Sequence, residues 1–146
     1  MLLKVKVGMS VFALLLSVIL LLIAGVHIYW AHGGLWPGVD RQDLIDRVYG
    51  GGDKFPPPFA CYVVAIILAL FGLIPLLKRD MLPAPNSMMT WLDLCHYGVM
   101  GIFAIRGIGG YFLYRGDRWS STFVRLNNTI YNPLCIAIAL LYFLLI

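Results

Sequence analysis

The sequence predicts an all-α polytopic membrane protein, a bundle of four transmembrane helices with a short amphipathic helix in its first loop. Three observations carry this. Four long apolar runs, at about residues 8–31, 59–77, 91–114 and 130–146, take up most of the chain. A bilayer core about 30 Å thick is crossed by roughly 20 helical residues, and each run comes close to that length. Of the 146 residues, 61% are hydrophobic and only 12% charged, more apolar surface than a soluble domain of this size could bury. The runs are also continuous rather than alternating with a period of two, which argues against a β-barrel. Residues 1–146 therefore read as one transmembrane bundle with no separate soluble domain.

The first run follows Lys4 and Lys6, as a signal peptide would. It is too long for one and no A-x-A pattern follows it, so it reads as a retained helix. It closes in His27-Ile28-Tyr29-Trp30-Ala31-His32-Gly33-Gly34. The aromatic residues suit the headgroup level, and the glycine pair stops the helix. In the loop beyond, Leu44, Ile45, Val48 and Tyr49 share one helical face, and Asp43 can pair with Arg47 four residues on. This predicts a short amphipathic helix on the membrane surface, closed by Gly50-Gly51-Gly52 and followed by the stiff Pro56-Pro57-Pro58. The second run is almost purely aliphatic scaffold, and Pro75 should bend or end it near the Lys78-Arg79-Asp80 turn. The third opens at Trp91 and carries Asp93, Cys95, His96, Arg106 and several glycines. Residues 115–129 read as a polar, basic loop. The fourth run starts at Tyr131-Asn132-Pro133, with the proline suited to a first helical turn.

Charge and cysteine usage exclude several classes of function. Eleven Lys and Arg stand against seven Asp and no Glu, and no cluster is dense enough to track a nucleic acid. Cys61, Cys95 and Cys135 are isolated, so no zinc knuckle or thiol redox pair is signalled and no metal is expected. His27 and His96 differ in height by about 10 Å on the helical rise, too far for one haem iron, and no cofactor is expected. Paired carboxylates and a nucleophile elbow are lacking, so the chain reads as a binding protein rather than an enzyme. Lys4 and Lys6 directly before the first span favour cytoplasmic termini, although the opposite side carries more Lys and Arg in total.

Tracing the hairpins gathers the unusual side chains on one side. His27, Tyr29 and Trp30 close the first span, Arg106 lies about 13 Å below the end of the third, and Tyr131 and Asn132 open the fourth. A polar pocket inside the bundle near that face follows, because polar groups in a bilayer are costly and usually face the interior. Arg106 has two readings. It caps the third helix and snorkels to the headgroups, or it is buried and needs an anionic partner. Asp93 is about 20 Å away along the helix and cannot be that partner.

His27 to Gly34, Leu76-Leu77-Lys78 with Leu82-Pro83, Arg106-Gly107-Ile108-Gly109 and Tyr131-Asn132-Pro133-Leu134-Cys135 together resemble an uncharacterised family of small bacterial membrane proteins, domain of unknown function 3995. The resemblance covers nearly the whole chain and implies a four-helix protein of the bacterial inner membrane. It carries no activity. The family pattern often has an acidic residue where Gly110 stands here.

The expected function is to bind or move an anionic amphiphile or lipid headgroup at Arg106, His27, Tyr29, Trp30, Tyr131 and Asn132. An alternative is an interaction protein, giving immunity against a membrane-targeted toxin or serving a larger complex. Arg118, Trp119 and Arg125 would then form the contact surface for a protein partner. A lipid-modifying enzyme with His27 as general base is the third reading.

Overall fold

The computed structural model describes residues 2–146, with side chains from Val7 onward. Lys4 and Lys6, part of the orientation argument, lie outside the described side chains. Helix α1 spans Leu2–Ala31, α2 Arg41–Leu44, α3 Pro58–Lys78, α4 Met89–Leu113, α5 Ser121–Leu126 and α6 Asn132–Leu144. Two stretches of wider π-helical winding, Ile45–Tyr49 and Asn127–Tyr131, extend α2 and join α5 to α6. Four helices are long and apolar enough to cross a membrane: α1, α3, α4, and the run from Ser121 to Leu144. Their outer faces carry bare aliphatic and aromatic side chains, with Leu22, Ile66 and Ile105 at 66%, 60% and 74% exposure, as lipid-facing residues do. The protein is an integral membrane protein.

Two helix pairs make the bundle. α1 packs along α3, and α4 packs along α6. Because lipid tails are as apolar as leucine, such helices associate through close packing and hydrogen bonds rather than hydrophobic drive. Both are present. Ser17 Oγ donates to the Ala13 and Gly72 carbonyls at 2.8 and 2.7 Å, bridging α1 and α3. On the other pair, a Cβ at Gly107 would stand 2.7 Å from Ile136 Cγ1 and 3.0 Å from the Ile136 nitrogen. Only a glycine lets α4 and α6 meet there. The core between the pairs comprises Leu16, Leu20, Val99, Phe103, Ile138 and Tyr142 among others.

At the face that carries the chain termini, Lys78 pairs with Asp93 at 2.9 Å. His96 is fully buried, and its Nε2 donates to the Tyr142 carbonyl at 2.8 Å. At the opposite face the amphipathic α2 and its π turn form as the pattern predicts. Asp40 caps α2 by accepting from the Asp43 amide, and Arg47 Nε reaches Asp43 at 2.8 Å. The segment does more than lie on a membrane surface. Leu44 and Ile45 are buried, and the Ser120 amide donates to the Gly50 carbonyl at 2.7 Å. Ser120 Oγ donates to the Asp46 carbonyl and Tyr131 Oη to the Arg47 carbonyl, at 2.8 and 3.1 Å. Thus the first loop is pinned across the mouth of the bundle.

Residues 115–129 do not form one loop. Helix resumes at Ser121, whose predecessor Ser120 caps it by accepting from the Phe123 amide at 3.2 Å. Pro133 is the second residue of α6, in its first turn as the sequence suggests, and the winding that precedes it is the π turn from Asn127 to Tyr131. Its ring would clash with the carbonyl four residues back in a regular α-helix, and the π turn just before it widens the winding there.

Candidate functional site

Arg106 stands seven residues before the end of α4, about 10 Å along the axis, so it is not a terminal cap. Its side chain turns toward the fourth helix. Nη1 donates to Asn132 Oδ1 and Nη2 to Asn127 Oδ1, both at 2.8 Å. The guanidinium carbon lies 4.9 Å from the centre of the Tyr114 ring, a cation–π contact. Asn127 and Asn132 are fully buried, and Asn127 Nδ2 donates in turn to the Gly110 carbonyl at 3.2 Å.

Local backbone chemistry explains why two asparagines five residues apart act together. At about 100° per residue, an α-helix would hold them roughly 140° apart. The π turn closes a hydrogen bond between the Asn132 amide and the Asn127 carbonyl, which stacks the two residues on one face. Gly110 completes the arrangement: a Cβ there would overlap Asn132 Oδ1 and Arg106 Nη1. Here the absent side chain is what admits the guanidinium.

Arg106 borders a cavity of about 480 Å³ together with Val48 and Tyr49 of the first loop and Tyr114, Trp119 and Phe123. Arg118 lies at its exposed edge, with Nη2 3.5 Å from the Leu113 carbonyl. Among the described residues, the ion pairs are Arg47–Asp43 and Lys78–Asp93, so Arg106 meets no carboxylate. A guanidinium has more donors than two asparagine oxygens take up. The Trp119 indole Nε1 is buried without an acceptor. The cavity therefore joins a cation with spare N–H donors and aromatic walls, a composition suited to an oxyanion.

The residues singled out from the sequence share this end of the bundle but divide between separate places. Asn132 holds Arg106. Tyr131 ties the fourth helix to the first loop. His27 and Trp30 line a second cavity of about 220 Å³ with Phe55 and Cys61, and Val48 and Tyr49 stand between the two cavities. His27 Nδ1 donates to the Ile23 carbonyl at 2.8 Å. Tyr29 serves the turn after α1, its hydroxyl accepting from the Leu35 amide at 3.3 Å. Of the expected contact surface, Arg118 and Arg125 are exposed. Trp119 instead stacks inward, 4.9 Å from Tyr114 and 5.7 Å from Phe123. Asn127 and Tyr114 were not anticipated. Asn127 falls in the stretch 115–129 that reads as a loop, and its signal is Pro133 six residues later, just beyond the wide turn.

Comparison with known proteins gives one family model, described as protein of unknown function (DUF3995), which matches residues 20–142. No curated protein and no solved structure matches the chain.

Proposed function

We propose a function for a chain that belongs to the DUF3995 family of proteins of unknown function: it binds the anionic headgroup of a membrane amphiphile at Arg106. The observation that carries this reading is the half-buried guanidinium that meets two neutral amides and the Tyr114 ring but no carboxylate among the described residues. Placing an arginine in a bilayer costs roughly 2.5–3.5 kcal/mol at the centre. The two asparagines and the Tyr114 ring offset part of that while leaving the charge uncancelled. An anion supplied from outside would complete the site, accepting from the Arg106 N–H groups that the asparagines leave over. The pinned first loop forms one wall.

On this reading the protein sits in the bacterial inner membrane, with the termini and the Lys78-Arg79 turn cytoplasmic. Support comes from Lys4 and Lys6 directly before the first span and Lys78 and Arg79 directly after the second. The headgroup site then faces the outer leaflet.

Thermal unfolding in mild detergent, with phosphatidylglycerol or phosphatidylcholine added, tests the reading. Wild type should be stabilised selectively by the anionic lipid. Arg106→Gln should lose that selectivity while Arg106→Lys keeps part of it. Equal stabilisation of wild type and Arg106→Gln by phosphatidylglycerol would refute the proposal.

A further inference from the structure

The cavity of about 220 Å³ between the end of α1, the start of α3 and the first loop carries its own chemistry. The His27 ring reaches it from α1. Because the Ile23 carbonyl can only accept, the 2.8 Å contact places the ring proton on Nδ1. In the neutral imidazole Nε2 is then an acceptor, and among the described residues nothing donates to it. His32, five residues on, shows what this arrangement takes. Its Nδ1 donates in the same way to the Ile28 carbonyl at 2.9 Å, and its Nε2 accepts from the Tyr62 hydroxyl at 3.3 Å. The two rings stand edge to face, 5.8 Å between centres. Helix α3 sends Tyr62 to His32, but toward His27 it offers Ala60, Cys61 and Val64, none with a hydroxyl.

The walls define the rest of a ligand. Trp30 stands edge-on to His27 at 5.0 Å and to Phe55 at 5.9 Å between ring centres, and Tyr49 lines the loop side. Such walls favour another ring, packed edge to face or offset. An apolar cavity of roughly 150 Å³ holds a benzene, so this one admits a single substituted ring. Arg41 already lies over the Phe55 ring at 5.2 Å, so an ammonium guest would meet a like charge. A carboxylate or phosphate anion brings no proton for Nε2, and the Trp30 indole N–H is taken by the Trp36 carbonyl. We infer that this cavity binds one neutral hydroxylated aromatic ring, a phenol or hydroquinone, whose hydroxyl donates to His27 Nε2 as Tyr62 donates to His32. The site is independent of the anion site at Arg106.

Side-chain nitrogen NMR of the full chain in mild detergent, labelled at histidine and tryptophan, tests this with phenol and its isostere toluene as probes. Both rings should shift the Trp30 indole resonance. Phenol alone should shift the His27 Nε2 resonance, which is identified by its loss in His27→Leu. That variant should bind phenol about tenfold more weakly and toluene as wild type does, the cost of burying a hydroxyl without an acceptor. Ala60→Leu, at a half-buried wall position, should abolish both responses. A decyl-tailed hydroquinone in lipid nanodiscs should reproduce the Nε2 shift, while its oxidised quinone, which has no O–H, should not. A shift from the tailed ring supports delivery from the membrane, and one from phenol alone supports the same site filled from water. The assignment is overturned if phenol leaves Nε2 unmoved, or if wild type and His27→Leu bind phenol equally. A phenol response that survives Ala60→Leu would put the probe elsewhere and overturn it too.

Discussion

Replacing Asn132 with aspartate puts a negative charge where Arg106 now meets a neutral oxygen at 2.8 Å. The side chains are nearly isosteric, and among the described residues the other hydrogen bond of the Asn132 side chain is a 3.5 Å approach of Nδ2 to Asn128 Oδ1. At about 4 Å and an effective dielectric near 20, the new attraction is about 4 kcal/mol. Burying the carboxylate costs several kcal/mol. The guanidinium is already partly desolvated, so the two terms nearly cancel. Stability without ligand should stay within about 2 kcal/mol of wild type, a Tm within roughly 8 °C for a chain of this length. The response to an external anion should collapse, because the attraction that draws it is spent internally. About 4 kcal/mol corresponds to roughly a thousandfold in affinity. Asn132→Ala is the contrasting variant. It removes a hydrogen bond to a charged group, about 1.5–3 kcal/mol, lowering stability while leaving the positive charge to attract the anion. The assay is thermal unfolding in detergent with and without phosphatidylglycerol. An Asn132→Asp protein that folds and still responds to the lipid as wild type does would refute the reasoning.

Three further expectations follow from the same geometry. Gly110→Ala should lower stability by about 1–3 kcal/mol, the usual range for overpacking, and weaken the lipid response, since its Cβ overlaps Arg106 and Asn132; Gly101→Ala, with nothing within 4 Å of the added atom, should do neither. His27→Leu should leave the anionic-lipid response unchanged in the same assay, because His27 lines the separate cavity of about 220 Å³. Arg47 beside Asp43, and the Val39 amide that donates to it at 2.9 Å, hold the Asp43 carboxyl below the usual carboxylate range. The pairing that fixes α2 is then intact above about pH 4 and is lost as pH falls through the lowered folded value. The Val39 amide resonance should move only in that acid range and stay still in Asp43→Asn.

Much of the architecture was legible because bilayer thickness turns apolar run length directly into helices. The α2 segment was equally legible from its Leu44, Ile45 and Val48 spacing. The start of the fourth helix was hidden, since Ser121, Arg125 and Asn127 to Thr129 look like loop residues when read for hydropathy. Their polar groups belong in a helix because Asn127 faces Arg106 and Thr129 Oγ1 donates to the Arg125 carbonyl at 2.8 Å. Counting residues from the loops put His27, Arg106 and Tyr131 at one end, where they lie. It could not show that the first loop crosses between His27 and Arg106, because that depends on Ser120 and Tyr131 binding backbone carbonyls at Gly50, Asp46 and Arg47. The pairing of Asn127 with Asn132 escaped a reading based on 3.6-residue winding, since only the π turn aligns them.

On the proposed reading Arg106 takes an anion in the cavity that the Trp119 ring also lines, and side-chain nitrogen resonances report on it directly. Trp30 Nε1 already donates to the Trp36 carbonyl at 2.6 Å, whereas Trp119 Nε1 has no acceptor. Titrating the labelled protein in detergent with phosphatidylglycerol should move the Trp119 indole and the Arg106 guanidinium resonances together, with the Trp30 indole unmoved and phosphatidylcholine without effect. Stationary Trp119 and Arg106 resonances under saturating anionic lipid would contradict the account.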